Sequence, residues 1–362
     1  MLELIFFFVV GLMALVGGAE LLVRSASRLA LHLGISKLIV GLTVVAFGTS
    51  APELAVGIDA VLNNQADIML GNIVGSNIAN ILLILGISAI IIPLKVNSKL
   101  IRTDVPVMIA ITILLIGYSY NGIISVWESL SLIIFLSIYL WYLTRQNRKS
   151  GLIPPKAEEQ EGSLPWNIFL GVAGLAGLII GARWLVSSSV EFAEIAGVSE
   201  LVIGLTVVAI GTSLPEVVTS IVAALKGERD IAVGSVIGSC ILNILAVLGI
   251  TGLFAQDGIL VKDVVLQFDL MILLAASIAC IPIFFTGHVI RRWEGGMFLF
   301  FYGAYLFYLF LHSTDHEFID TFRQAMIFVL PITGFTILTI ATREFKKRWR
   351  FRGMFKDRNP NE

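Results

Sequence analysis

Charge is what this chain has least of. Asp, Glu, Lys and Arg together make up 14 % of its 362 residues, where a soluble domain carries about 25 %. That scarcity excludes a water-exposed globular fold. A net charge of −1 leaves no basic surplus for nucleic acid. Cysteine is nearly absent: Cys240 and Cys280 both fall in apolar stretches, giving neither a disulfide framework nor a thiolate metal cluster. The four histidines lack ligand spacing. No HExxH or Ser/His arrangement accompanies the carboxylates, which argues against an intramembrane enzyme. The first residues, MLELIFFFVVGLMALVGGAE, lack the basic start of a signal peptide and read as a retained first helix.

What fills the chain is hydrocarbon. Hydrophobic residues make up 57 %, mean hydropathy is +0.91, and the apolar runs reach the roughly 20 residues that span a bilayer as helix. These runs form one unit used twice. Residues 34–87 align without a gap to 197–250 at an offset of 163, with roughly 29 of 54 positions identical. GLTVVAFGTSAPE (41–53) matches GLTVVAIGTSLPE (204–216), and GSNIANILLILGI (75–87) matches GSCILNILAVLGI (238–250). Upstream, Gly11 and Gly18 pair with Gly174 and Gly181; downstream, Trp127-Glu128 pairs with Trp293-Glu294.

Each unit reads as five apolar helices. The expected fold is an all-α polytopic membrane protein, an inverted repeat of five plus five transmembrane helices with an additional C-terminal helix. The expected division is a first repeat at 1–143, a cytoplasmic linker at 144–165, a second, inverted repeat at 166–312, and an extra helix with a basic tail at 313–362. Five is odd, so the second unit enters the membrane in the opposite sense. Lys and Arg concentrate in cytoplasmic loops, and an outside N-terminus with a cytoplasmic C-terminus lets about 22 of the 25 obey that rule. Arg28 and Lys37 become Glu191 and Glu200 in the second copy: the sequence is copied while the charge is inverted. Inverted repeats are an architecture of secondary transporters, with the substrate near the midplane. The location this implies is the cell or inner membrane, with the lipid bilayer as partner and no obligate protein partner.

The most repeated segments carry the chemistry. Pro52 cannot bond the carbonyl of Gly48 and crowds it, and Pro215 with Gly211 repeats the arrangement. Both helices are expected to break near mid-membrane and free carbonyls there, which is tolerated only against protein or a wet cavity. Glu53 and Glu216 follow these prolines. A carboxylate at that depth costs at least about 2.5–3.5 kcal/mol, and no intramembrane Lys or Arg offers itself as a partner. Together they supply up to four hard oxygens, which suit Ca2+; the thiolates and imidazoles that softer metals favour are missing from these motifs. Thr49 and Ser50 share the Glu53 face, as Thr212 and Ser213 share that of Glu216. On the following helices Asn72, Ser76 and Asn80 form one polar stripe, and Ser235, Ser239 and Asn243 form its copy. Ser76, Asn80, Ser239 and Asn243 are the expected site-lining members. Asn77 is left out because its counterpart is Cys240. Gly71 and Gly75, with Gly234 and Gly238, are expected to allow close helix approach.

The paired GTS-x-PE and GS-x-x-x-N motifs resemble the α-repeats of the cation/Ca2+ exchanger superfamily, over essentially the first ten helices. The resemblance implies a secondary antiporter exchanging Ca2+ for Na+, with no cofactor, whose first and sixth helices slide past a fixed bundle. It implies Ca2+ ligation by Glu53 and Glu216 with the carbonyls of Thr49 and Thr212. Its Na+ sites map onto Ser50, Ser76, Ser213 and Ser239, with the carbonyls of Ala46 and Ala209. Coupling to H+ is the alternative, since a midplane glutamate can carry a proton. The short linker has no room for the regulatory Ca2+-binding domains of animal exchangers.

Overall fold

A computed structural model of the chain describes residues 2–63, 66–149, 163–195, 211–255, 257–314 and 316–356. Among these, eight helices are long and apolar enough to cross a membrane, and a bent pair makes a ninth span. The first, α1 (Leu2–Leu33), is followed by that pair, α2 (Lys37–Thr49) and α3 (Ala51–Leu62). Then come α4 (Met69–Ile91), α5 (Leu100–Ser119) and α6 (Val126–Lys149). The second copy supplies α7 (Leu164–Ile195), α8 (Leu214–Leu225), α9 (Arg229–Phe254), α10 (Val265–Phe285) and α11 (Arg292–Ser313). A last helix, α12 (Ile319–Lys356), follows. The middle of the linker, 150–162, and the segment 196–210 that leads into α8 lie outside the described residues.

The repeat is written into the packing. Four glycines let the backbones of α1 and α7 touch. A Cβ on Gly11, Gly18 or Gly174 would lie 2.9, 2.5 or 2.7 Å from the backbone nitrogen of Leu185, Leu178 or Leu22, and one on Gly181 would meet that of Leu15. Every one of these contacts maps onto another by the offset of 163. The two helices run antiparallel, since Gly11 meets the C-terminal side of α7 and Gly18 an earlier turn. Two equivalent helices packed head to tail require the second copy to run opposite to the first.

The halves also interlock. Gly86 of α4 lies against Leu299 and Gly295 of α11, and its equivalent Gly249 of α9 lies against Ile133 and Ser129 of α6. The fifth helix of each copy therefore packs on the third helix of the other. Short antiparallel bridges repeat the exchange: β1 (Leu94–Lys95) pairs with β4 (Val289–Ile290), and β2 (Ile123–Ile124) with β3 (Ile259–Leu260). Asp104 accepts from Tyr139 at 3.1 Å and Asp269 from Tyr305 at 3.0 Å. These two aspartates thus tie the fourth helix of each copy to its fifth.

At the centre, α9 is buried along its whole apolar stretch and α4 along 78 % of its own, against 22 % for α6. The outer helices turn large apolar side chains outward, Phe6, Trp127 and Phe169 among them, as a lipid-facing surface does. A Cβ on Gly234 or Gly238 would lie 3.1 or 2.6 Å from the carbonyl oxygen of Leu38 or Leu42 in α2. A Cβ on Gly71 or Gly75 would meet nothing within 4 Å among the described residues; the stretch equivalent to Leu38–Leu42 is 201–205, outside them.

Candidate functional site

The expected break is present where Pro52 sits in the first turn of α3. The α2–α3 span bends by 42°, and Ser50 at the joint leaves helical geometry, with φ −81° and ψ 4°. Ser213, the residue before α8, has nearly the same conformation, φ −88° and ψ 2°, with Pro215 in the first turn. Two N-terminal helix ends are thereby made inside the bundle, each with a glutamate in its first turn. The central helices bring their own irregularity: α4 widens into a π-turn at Ala79–Ile84 and α9 at Asn243–Leu248. Such bulges cluster at functional sites, and here they fall at Asn80 and Asn243.

Glu53 and Glu216 are 1 % and 2 % exposed. They lie close enough for their charges to interact, and Thr49 and Ser50 face the Glu216 carboxylate. Among the described residues, no Lys or Arg pairs with either glutamate. Among the described residues, neither oxygen of Glu216 has a partner in full hydrogen-bond geometry, Thr49 and Ser50 included, nor does Oε2 of Glu53. The same holds for the hydroxyls of Ser50, Ser213 and Ser239, for both amide atoms of Asn80, and for Oδ1 of Asn243. Each such orphan costs about 1–3 kcal/mol when buried. Seven of the twelve residues singled out in the sequence thus hold unpaired polar atoms, nearly all of them oxygens.

The other five behave differently. Ser76 donates to Ile73 O at 3.1 Å and accepts from Asn243 Nδ2 at 3.2 Å. The Thr212 hydroxyl reaches Asn72 Oδ1 at 3.5 Å. The Ala46 carbonyl accepts from Ser50 N at 3.0 Å and from the Thr49 hydroxyl at 3.3 Å, so both of its lone pairs are engaged. Ala209 lies outside the described residues. Ser235, the outlying member of the second stripe, bonds Ala232 O and Ser220 and bridges helices.

Asn77, which the repeat comparison discards, is an organiser of this site. Its Nδ2 donates to Cys240 O at 3.2 Å, and the Cys240 thiol returns a contact to Asn77 O at 3.8 Å. Residues 77 and 240 are equivalents, so their mutual contact places them on the axis relating the two halves. A carbonyl can only accept, which forces Asn77 to present Oδ1 to Asn243; Asn243 Nδ2 donates to it at 3.1 Å. Asn243 is thereby left with Oδ1 unpaired. On the other side of the axis the Asn80 amide approaches the Cys240 sulfur, a weak partner. The signal available in the sequence was GSN against GSC: a residue on a two-fold axis serves both halves and needs no second copy.

The array combines two carboxylates, two amides and several hydroxyls with no imidazole or thiolate. Among the described residues, no cluster of three or more His, Cys, Asp or Glu exists. Hard oxygens in flexible number suit Ca2+, which accepts six to eight at about 2.3–2.6 Å, far better than soft metals.

Comparison with known proteins agrees. The sodium/calcium exchanger protein family matches residues 3–145 and 166–311. The sodium/calcium exchanger MaX1 of Methanosarcina acetivorans is 35 % identical over 339 residues, covering 83 % of this chain and 96 % of its own. The inner membrane protein YrbG of Escherichia coli is 39 % identical over 260 residues, 69 % of this chain and 80 % of its own. Among solved structures, the sodium-calcium exchanger NCX_Mj soaked with 10 mM Na+ and no Ca2+ superposes with a TM-score of 0.73 at 32 % identity, covering 83 % of this chain and 96 % of that one. With its doubled motifs, its helical membrane fold and these relatives, the chain belongs to the sodium/calcium exchanger family of multi-pass membrane transporters.

Proposed function

We propose that this protein is a Na+/Ca2+ antiporter that binds Ca2+ at mid-membrane between Glu53 and Glu216. The observation that carries the reading is the concentration of unpaired buried oxygens at Ser50, Glu53, Ser213, Glu216, Ser239, Asn80 and Asn243. A cation held there would satisfy oxygens that nothing else in the described protein satisfies. In this proposal Glu53 and Glu216 supply the charge, the backbone carbonyls of Thr49 and Thr212 complete the Ca2+ shell, and Ser50, Ser76, Ser213 and Ser239 serve Na+. The Ala46 carbonyl joins only if it releases one of its two present donors; Ala209 is its proposed counterpart.

Alternating access is proposed to come from α1 and α7 sliding as one body. Their glycine-to-backbone contact leaves no side-chain layer between them, which favours joint motion. The proposed arrangement is two inverted five-helix repeats, 1–143 and 166–312, joined by a cytoplasmic linker, with the N-terminus outside and α12 leading to a cytoplasmic tail. One seam is pinned: Glu228 holds Lys37 Nζ at 2.6 and 2.8 Å and the Ser27 hydroxyl at 2.9 Å. In sequence the equivalents are Gln65, Glu200 and Val190, none of them basic, so the ion pair is proposed for one side alone, the one that the basic residues assign to the cytoplasm. Uptake of Ca2+ into proteoliposomes, driven by an outward Na+ gradient at clamped pH, tests the exchange. Uptake that follows a pH gradient and ignores Na+ would transfer the reading to H+ coupling.

A further inference from the structure

We propose that α12 forms, with α10 and α11, a binding site for one anionic phospholipid, its acyl chain inside the bundle and its phosphate on Arg323. A cavity of 660 Å³ lies between these three helices. Its walls are almost wholly apolar, among them Ile272, Ala279, Phe301 and Ile337, and the one charged residue on them is Arg323. The space is open along one side, so what fills it comes from the surroundings. An apolar lining rejects water, which needs polar partners. Ile327 and Leu330 line the cavity and are also 66 % and 46 % exposed, so it opens sideways into the surroundings of the helices. At that depth the surroundings are acyl chains. From Arg323 to Ile337 the cavity follows α12 for 14 residues, about 21 Å at 1.5 Å per residue, enough to take a chain across one leaflet of a core about 30 Å thick.

The mouth selects the headgroup. Arg323 lies one turn into α12, where the helix leaves the α11–α12 connection. Its guanidinium donates to the Tyr308 hydroxyl at 2.9 Å and sits 5.5 Å from that ring's centroid. Asp320 approaches at 3.6 Å but is 79 % exposed and competes weakly. A guanidinium has five donors, so Tyr308 orients it while leaving donors for a phosphate. A zwitterionic headgroup would bring a cation to the same place and gain less. Described side chains of α12 that face the bundle, such as Phe322 and Met326, are only half-buried, as expected of a helix that rests partly on lipid.

The test uses the full-length protein purified in detergent, with binding of phosphatidylglycerol and of phosphatidylcholine with the same chains measured by native mass spectrometry. Phosphatidylglycerol is expected to bind about fivefold more tightly, about 1 kcal/mol at 1.4 kcal/mol per tenfold. Arg323→Gln should reduce phosphatidylglycerol to the level of phosphatidylcholine. Ala279→Phe and, on the facing helix, Ala304→Phe add volume inside the cavity and should weaken both lipids. Glycerol phosphate alone should not compete. Equal binding of the two lipids by the native chain, no effect of the filling variants, or competition by glycerol phosphate would each overturn the proposal. None of these residues belongs to the cation site, so Na+-driven Ca2+ exchange should survive in Arg323→Gln.

Discussion

Replacing Asn77 by Leu removes an amide that is proposed to touch no cation, and is nevertheless predicted to weaken Ca2+ binding. The native amide donates to Cys240 O at 3.2 Å and accepts from Asn243 at 3.1 Å. Leucine has nearly the same length and does neither. Asn243 Nδ2 then keeps only the Ser76 hydroxyl, at 3.2 Å, and the amide turns over more readily, presenting a donor where a cation needs an oxygen. A buried hydrogen bond is worth about 0.5–1.5 kcal/mol net, so the correct orientation loses about 1 kcal/mol of preference. At 1.4 kcal/mol per tenfold, the Ca2+ concentration for half-maximal exchange should rise about fivefold. The assay is initial Ca2+ flux into proteoliposomes under a fixed Na+ gradient. An Asn243→Ala background separates positioning from general damage, because coupled residues are non-additive. If Asn77 acts through Asn243, Asn77→Leu should have no further effect on half-saturation there. A full additional shift in the double variant, or none in the single one, would refute the orientation argument.

Three further predictions rest on other contacts. Gly18→Leu should abolish exchange, since its first side-chain carbon would lie 2.5 Å from Leu178 N, whereas Gly17→Leu should be tolerated because a Cβ there meets nothing within 4 Å; equal loss in both would remove the α1–α7 contact from the mechanism. Cysteines introduced at Lys95 and Val289 should label from one side of sealed vesicles and those at Asn121 and Asp257 from the other, because β1 pairs with β4 and β2 with β3; the basic residues assign the first pair to the cytoplasm, and labelling of Lys95 from outside would reverse the topology. Exchange should need no K+ and should respond to membrane potential. Here the two glutamates bring −2, one Ca2+ neutralises it, and surplus buried charge is costly; three Na+ would instead carry net charge. An absolute K+ requirement would overturn this, and insensitivity to potential would point to a two-for-one or H+-compensated cycle.

Much of the architecture was legible because a bilayer restricts the choices. Runs such as Leu100–Ser119 can only be helices there, and Pro52 and Pro215 announced the interruptions beside the glutamates. The duplicated motifs pointed to the candidate site through equivalence. What equivalence could not supply were features of tertiary packing. The π-turns at Asn80 and Asn243 have no local sequence signature, because the extra residue is accommodated by the neighbouring helices. The exchange of fifth helices, seen at Gly86 and Gly249, depends on which partner each glycine meets. Asn77 escapes a comparison of repeats because it meets its own equivalent, Cys240, on the axis, where one residue serves both halves. The doubly bonded Ala46 carbonyl was likewise invisible, since its donors, Ser50 N and the Thr49 hydroxyl, are set by the bend.

The central claim is that two buried carboxylates bind the transported Ca2+. Glu53→Gln and Glu216→Gln keep the shape of the site and remove one of its two negative charges. Truncating one member of a buried charge pair costs about 2–5 kcal/mol, which is about 30- to 4,000-fold in affinity. The measurement is Na+-driven 45Ca2+ uptake by proteoliposomes holding equal amounts of native and variant protein, each shown to be monodisperse before reconstitution. Uptake at background in both variants is the predicted result; near-native uptake in either one would contradict the account.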